Sequence, residues 1–297
     1  MSAAGRAWAN GAAALVALFA SMAAVAAGPT AAPALKVCML ANSMPYSARA
    51  GATGFDVDVA AAVAAEAGYR LEPVWIDAPD TIQELDEGDM PLERLAREDC
   101  DAIFSVPGPA AETLRGHDAL TLGAPYYGAA FELMRCKPDT PGNFRALRGQ
   151  RVAIQSQTVA HFALLTVKAE PRNYFSLGQA FDAVRAGDVD AALLWGPALG
   201  YHLRMLRVSG LALREPAFAA CELVAGYEPP TATRWNLHVA TRKERTRMRE
   251  HIDQALAHLA KEGRLAKLAE AWGVPWHAPF DGTYSLGALD ELRRPQH

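Results

Sequence analysis

The residues best placed to do chemistry in this chain are small and polar, and they sit where strands end. Ser156-Gln157-Thr158 follows a short apolar strand at 152–154 and opens the next helical segment. A helix start offers unpaired N–H donors and the positive end of the helix dipole, which suit an anion. Service of Ser156 or Thr158 as a plain N-cap is an equal alternative. Asn42, Ser43 and Tyr46 occupy the loop after the first strand. Ligands of open α/β sheets bind outside the carboxyl ends of the strands, so these three are candidates for the same site. Tyr46 packing on Pro45 is the structural alternative.

Catalytic signatures do not appear. The chain carries no G-x-S-x-G, H-E-x-x-H, Walker loop or G-x-G-x-x-G. Its eight His are scattered. His161, His202 and His238 could approach a cleft, but none is paired in sequence with a nucleophile. The expectation is therefore a binding protein with no catalytic residues, no cofactor and no metal.

The N-terminus places the chain outside the cytoplasm. Arg6 precedes an apolar run, 12–20, and small residues follow as far as Gly28. This is the pattern of a secretory signal peptide over residues 1–27, and the run is shorter than the ~20 residues a bilayer span requires. No cysteine follows closely, so a lipid anchor is not expected. With Arg6 removed in the leader, 28 basic residues stand against 33 acidic, a net charge of −5. Such a balance argues against nucleic acid or an anionic membrane as partner. The expected location is the periplasm, with no membrane span after signal removal.

Four cysteines remain, Cys38, Cys100, Cys136 and Cys221. An even count in an exported chain favours disulfides. Three pairings are possible. Cys38 lies on the first strand and Cys100 opens another strand, so neighbouring strands favour Cys38–Cys100 and leave Cys136–Cys221. Zinc is the alternative, without CxxC or HxxxH spacing to support it.

The pattern of elements implies two lobes, since about 270 mature residues exceed one core of common size. Strands are expected at 35–40, 71–75 and 100–106, with helices over 57–67, closed by Gly68, and over 80–97. Strand–helix alternation at this spacing means a mostly parallel sheet. Apolar stretches at 128–136 and 236–240 read as antiparallel crossing strands, with a βαβαβ set between them. Lobe 1 thus comprises 36–128 and 240–297, and lobe 2 the inserted 137–234. Residues 248–272 carry an apolar stripe broken at Gly263, which predicts two helices. The tail from Gly273 should wrap the surface. Ten carboxylates against Arg94 and Arg97 between Asp77 and Asp101 form a solvated acidic face or a patch for a basic partner.

The chain resembles the type 2 periplasmic solute-binding proteins of family 3, which includes the polar amino-acid receptors of ABC importers. The resemblance rests on Gly54-Phe55-Asp56-Val57-Asp58, Pro125-Tyr126-Tyr127, Leu147-Arg148-Gly149-Gln150-Arg151-Val152-Ala153-Ile154 and Gly187-Asp188-Val189-Asp190-Ala191-Ala192. It continues through Arg242-Lys243 to Trp272-Gly273-Val274-Pro275. It implies a two-lobed α/β fold of mixed sheets flanked by helices, with two crossing hinge strands and an interlobe cleft. A narrower likeness is to solute-binding-like proteins of PQQ-dependent alcohol dehydrogenases, the methanol-oxidation J type. It rests on Val37-Cys38, on Cys100-Asp101 before Ser105-Val106-Pro107, and on Trp195-Gly196-Pro197.

The first resemblance carries roles onto particular positions. Arg115 roughly matches an arginine that grips a ligand carboxylate; an exposed surface Arg is the alternative. Thr158 matches a hydroxyl position at the lobe 2 helix start, and Gln157 replaces the usual Gly there. Trp195 stands where the family places an ammonium-binding Asp. An uncompensated ammonium in a dry cleft is costly, so a standard α-amino acid is not the expected ligand. Trp195 could stack on an apolar ligand, clamp a peptide or plug the cleft. With Asn42, Ser43, Tyr46 and Ser105, these residues make up the expected ligand set.

Three functions follow from the two resemblances. A receptor passing a small organic solute to a membrane importer permease leads. The alternatives are an accessory of a periplasmic quinoprotein dehydrogenase and a dehydratase on the same fold. A carboxylate deep in the cleft opposite Arg115 would favour the last.

Overall fold

The computed structural model describes residues 32–77, 90–211 and 219–293. The expected leader, the first part of the helix expected over 80–97 and half of the acidic stretch's carboxylates lie outside the described residues.

The first half of the chain runs through β1 (Ala34–Leu40), β2 (Asn42–Ser43), β3 (Ser47–Ala48) and α1 (Phe55–Glu66). It continues with β4 (Arg70–Ile76), α2 (Pro91–Ala96), β5 (Ala102–Pro107), α3 (Ala110–Thr113) and the long β6 (Leu120–Arg135). Then come β7 (Arg151–Gln155), α4 (Val159–Thr166), β8 (Glu170–Tyr174), α5 (Leu177–Ala186), β9 (Ala191–Trp195), α6 (Gly196–Val208) and β10 (Glu222–Leu223). The chain returns through β11 (Arg234–Arg242), α7 (Thr246–Lys261), α8 (Arg264–Trp272) and α9 (Leu286–Arg293). The break between α7 and α8 falls at Gly263, whose φ of 69° ends the first helix in the left-handed region.

Apart from the antiparallel β2–β3 pair, the strands follow one hydrogen-bonded path, β4-β1-β5-β11-β6-β9-β7-β8, with β10 on β6. Each lobe has a parallel part: β1 pairs with β4 and β5, and β7 pairs with β8 and β9. The crossing strands make the sheets mixed, because β11 is antiparallel to β5 and β6, and β6 is antiparallel to β9. The sequence placed the first crossing strand at 128–136. It starts eight residues earlier, at Leu120, and runs through Pro125. A proline interrupts a ladder because it has no N–H to donate, but Pro125 faces His238 at a register shift, where one unmade bond is tolerated.

Separate apolar cores hold the lobes. In lobe 1, Leu35, Val37, Phe55, Val59, Val63 and Phe104 bury with Ile252, Leu256 and Leu265 of α7 and α8. The helix α1 is apolar nearly all round because the sheet lies on one side and α7 and α8 on the other. A second layer under β1 and β5 contains the Cys38–Cys100 disulfide. There buried Arg242 donates through Nη1 to the Leu95 and Cys100 carbonyls at 3.3 and 3.0 Å. Lobe 2 places Leu133, Val152, Ile154, Leu164 and Leu193 on one face of its sheet. Phe181, Val184, Leu194 and Leu199 cover the other. Cys136–Cys221 joins the end of β6 to the strand beside it, so both favoured pairings are present and no cysteine is free for zinc.

The tail does not stay on lobe 1. Tyr127 Oη donates to the Pro275 carbonyl at 2.9 Å, and Gly128 bridges to His277. Helix α9 then buries Ala288 and Leu289 against Ala232, beside Val159 of α4. The apolar 288, 289 and 292 positions explain this, since they cover a lobe 2 surface that would otherwise be wet.

Lobe 2 also touches the end of α8 at Gly200. A Cβ there would stand 2.0 Å from the Gly273 carbonyl oxygen. Backbone on backbone cannot yield cheaply, so Gly200→Ala should lower stability by about 1–3 kcal/mol, read as a shift of the urea midpoint at unchanged slope.

Candidate functional site

The site is built on the loop after β1. Gly54, at φ 136°, has no room for a side chain: a Cβ would sit 2.3 Å from the Tyr46 carbonyl oxygen. That approach lets Phe55 N donate to Pro45 O at 2.7 Å and Asp56 N to Tyr46 O at 2.9 Å. The first turn of α1 is thereby clamped to the loop that carries Tyr46. Asp56, in this turn, is buried at 8 % exposure.

Asp56 Oδ1 accepts a 2.6 Å hydrogen bond from Ser105 Oγ. Ser105, near the end of β5, has a φ of 54°, a region that costs a non-glycine residue energy and clusters at functional sites. Its Oγ lies 3.2 Å from Tyr126 Oη, and its backbone N donates to the same oxygen at 3.1 Å. Burial pushes the Asp56 carboxyl up to about 7, with the Ser105 bond partly opposing. Burial likewise raises the Tyr46 and Tyr126 phenols well above their ordinary range. All three groups can therefore be uncharged near neutral pH.

Lobe 2 closes on this network through Trp195, whose Nε1 donates to Tyr46 Oη at 2.7 Å. The indole stands edge-on to Phe131 and Trp235, with centroids 5.7 Å away in each case. Trp235 stacks on Tyr284 of the tail at 5.1 Å. Trp195 and Trp235 pack against the cores of both lobes. Around them is a cavity of about 930 Å3 lined mainly by apolar and aromatic side chains. Its ionisable wall groups other than tyrosine are Asp56, Glu93 and His117; among the described residues no Lys or Arg lines it.

Of the residues expected at a site, Ser43, Tyr46, Ser105, Thr158 and Trp195 line this cavity. Asn42, Gln157 and Arg115 do not; all three are exposed. Arg115 follows α3, a single turn with no buried residue, so nothing packs its side chain toward the cleft. Gln157 has a φ of 64°, consistent with a glycine-like position, but its side chain points to solvent. Thr158 is the N-cap residue of α4, but its side chain makes no cap bond. Its Oγ1 donates back to the Gln155 carbonyl at 2.7 Å.

His161, His202 and His238 are not on the wall. His238 Nδ1 lies 2.8 Å from the Gly123 carbonyl, and His202 packs edge-on against Phe181. Asp56, Phe131, Trp235, Tyr284 and His117 were not among the expected site residues. Asp56 had one usable signal, a carboxylate flanked by Phe55 and Val57 in a mostly apolar helix, and it shared that signal with Asp58.

The fold of these elements is the two-lobed α/β fold of periplasmic solute-binding proteins. No family model matches the chain, and no curated protein matches it. Among solved structures it resembles the L-cystine solute receptor of Neisseria gonorrhoeae in the unliganded open conformation. That match has a TM-score of 0.62 and 17 % identity, over 81 % of this chain and 93 % of that one. An ancestral cationic amino acid solute-binding protein matches with a TM-score of 0.60 and 24 % identity, over 80 % and 95 %. The second substrate-binding domain of Lactococcus lactis GlnP, in an open conformation, matches with a TM-score of 0.61 and 15 % identity, over 80 % and 94 %.

The Asp56 environment sets a pH dependence. Its carboxyl holds a proton up to about 7 in the folded chain, against an ordinary 3.8. Between those values the folded state binds more protons than the unfolded one, so stability falls as pH rises. At 1.36 kcal/mol per pH unit the loss is on the order of 4 kcal/mol. Asp56→Asn should remove it: relative to the parent, the variant gains stability from pH 4 to pH 7.5 in urea denaturation.

Proposed function

We propose that this chain is a periplasmic receptor that captures a small organic solute between its lobes and presents it to a membrane importer permease. One observation carries the reading: a cavity of about 930 Å3, mainly apolar, lies where Tyr46 of lobe 1 meets Trp195 of lobe 2. Small-molecule sites have this character, concave and apolar with a few polar groups that fix orientation. The β6 and β11 crossing supplies the hinge about which such lobes close. The solved structures of the same fold include two named for solute or substrate binding in an open conformation or domain, which supports the same role here.

A standard α-amino acid is a poor fit. Its carboxylate needs a cation, and Arg115 stands exposed, away from the wall. The dehydratase alternative required a deep carboxylate opposite Arg115. Asp56 is such a carboxylate, but Arg115 does not face it.

A thermal-shift panel of amines, amino acids, organic acids and neutral solutes on the mature chain tests the proposal. One class should raise the melting temperature by several degrees through mass action. Trp195→Ala should abolish that shift, because it removes a wall and the bond between the lobes. Silence across the panel, with a quinoprotein dehydrogenase retained in a periplasmic pull-down, would instead favour the accessory role.

A further inference from the structure

We propose that the ligand is an organic cation, a protonated or quaternary ammonium group on an apolar body and without a carboxylate. Its charge is held against Asp56 and its bulk lies between the aromatic walls. The proposal rests on the receptor reading above and narrows it.

Three features of the cavity converge. The first is the sign of its charge. Asp56 and Glu93 are on the wall, and among the described residues no Lys or Arg is there to balance them. Glu93 has His117 nearby, at 3.8 Å. Asp56 has no basic partner among the described residues. Its Oδ1 takes the Ser105 hydroxyl, and its Oδ2 accepts no hydrogen bond from them. A buried carboxylate without a counter-charge is costly, and a cation entering the cavity removes that cost.

The second feature is the wall itself. Phe131, Trp195, Trp235, Tyr284 and Tyr46 all line the cavity. Their π faces and edges are fixed by mutual packing, with Trp235 stacked on Tyr284 and Trp195 edge-on to Phe131. Aromatic faces attract ammonium groups, Trp most strongly, and several such faces in one pocket recognise quaternary ammonium ligands. The bond from Trp195 Nε1 to Tyr46 Oη ties this box to the loop that Asp56 packs against.

The third feature is what the cavity fails to offer an anion. Thr158, at the start of α4, has its hydroxyl turned onto the Gln155 carbonyl. An apolar neutral solute would fill the same space but would leave Asp56 without a counter-ion.

The two ligand types differ in pH dependence. The groups facing Asp56 are Ser105 from β5, Tyr46 from the loop before β3, and Tyr126 and Tyr127 from β6. Burial keeps all three phenols protonated, so Asp56 is the one that titrates near neutrality. A cation binds its carboxylate form and gains affinity as pH rises through about 7. A neutral ligand does not gain.

The test is calorimetric titration of the full mature chain with tetramethylammonium, choline and benzyltrimethylammonium. The neutral isostere 3,3-dimethylbutan-1-ol and a set of α-amino acids and organic acids serve as comparisons. At least one cation should bind about tenfold or more tighter than the isostere. It should also bind about tenfold tighter at pH 8 than at pH 6, as expected for a carboxyl titrating between them. Asp56→Asn should remove both differences, and circular dichroism reports whether that variant is folded. Tyr284→Leu, which keeps apolar bulk and loses a π face, should weaken the cation and spare the isostere. Equal or tighter binding of the isostere overturns the proposal, as does cation binding indifferent to pH and to Asp56→Asn. Preferred binding of an amino acid or organic acid overturns it too. Each of those results leaves the receptor reading intact, whereas no binding by any compound overturns both.

Discussion

The architecture depends on one strand that belongs to two sheets. The sixteen residues of β6 pair with β11 along their first part and with β9 along their last. The register of these ladders carries the site. Phe131 lies opposite Trp195 on β9, and Ala129 lies opposite Trp235 on β11. A slip of one residue in either ladder would turn a tryptophan to the other face of the sheet and dismantle the aromatic wall. Gly128 leaves the room that the returning tail occupies: a Cβ there would stand 2.7 Å from the Ala278 carbonyl oxygen.

Set against that apolar wall is a carboxyl group that burial penalises. Asp56 is held there by the backbone: Gly54 brings the first turn of α1, which carries Asp56, against the loop of Tyr46. Ser105 offsets part of the cost with one short hydrogen bond and adopts an unfavourable φ to do so. Local cost of this kind, in a cavity wall, is what a ligand site tolerates and a structural core does not. The cores of both lobes are closely apolar away from the cleft, with Arg242 as a buried charge that instead caps the carbonyls around Cys100.

Much of the fold was readable because its signals are local. The alternation of strands and helices, the helix stop at Gly68 and the break at Gly263 depend on φ requirements and apolar spacing within a few residues. The length of β6 was not readable, since Pro125 argues against a strand unless the bulge opposite it, at His238, is known. The tail was not readable either. Its turn toward lobe 2 depends on contacts between residue 232 and residues 288 and 289, which no local pattern announces.

The same division applies to the site. Position at strand ends pointed to Ser43 and Tyr46, and the resemblance pointed to Thr158 and Trp195; with Ser105 these residues line one cavity. The disulfide pairing followed from the same adjacency of strands. The charge of the cleft was decided by tertiary structure alone. Whether Arg115 faces the cavity, and whether a cation meets Asp56, depends on packing between segments up to about two hundred residues apart. Sequence determines which charges exist; only the fold determines which of them are buried together.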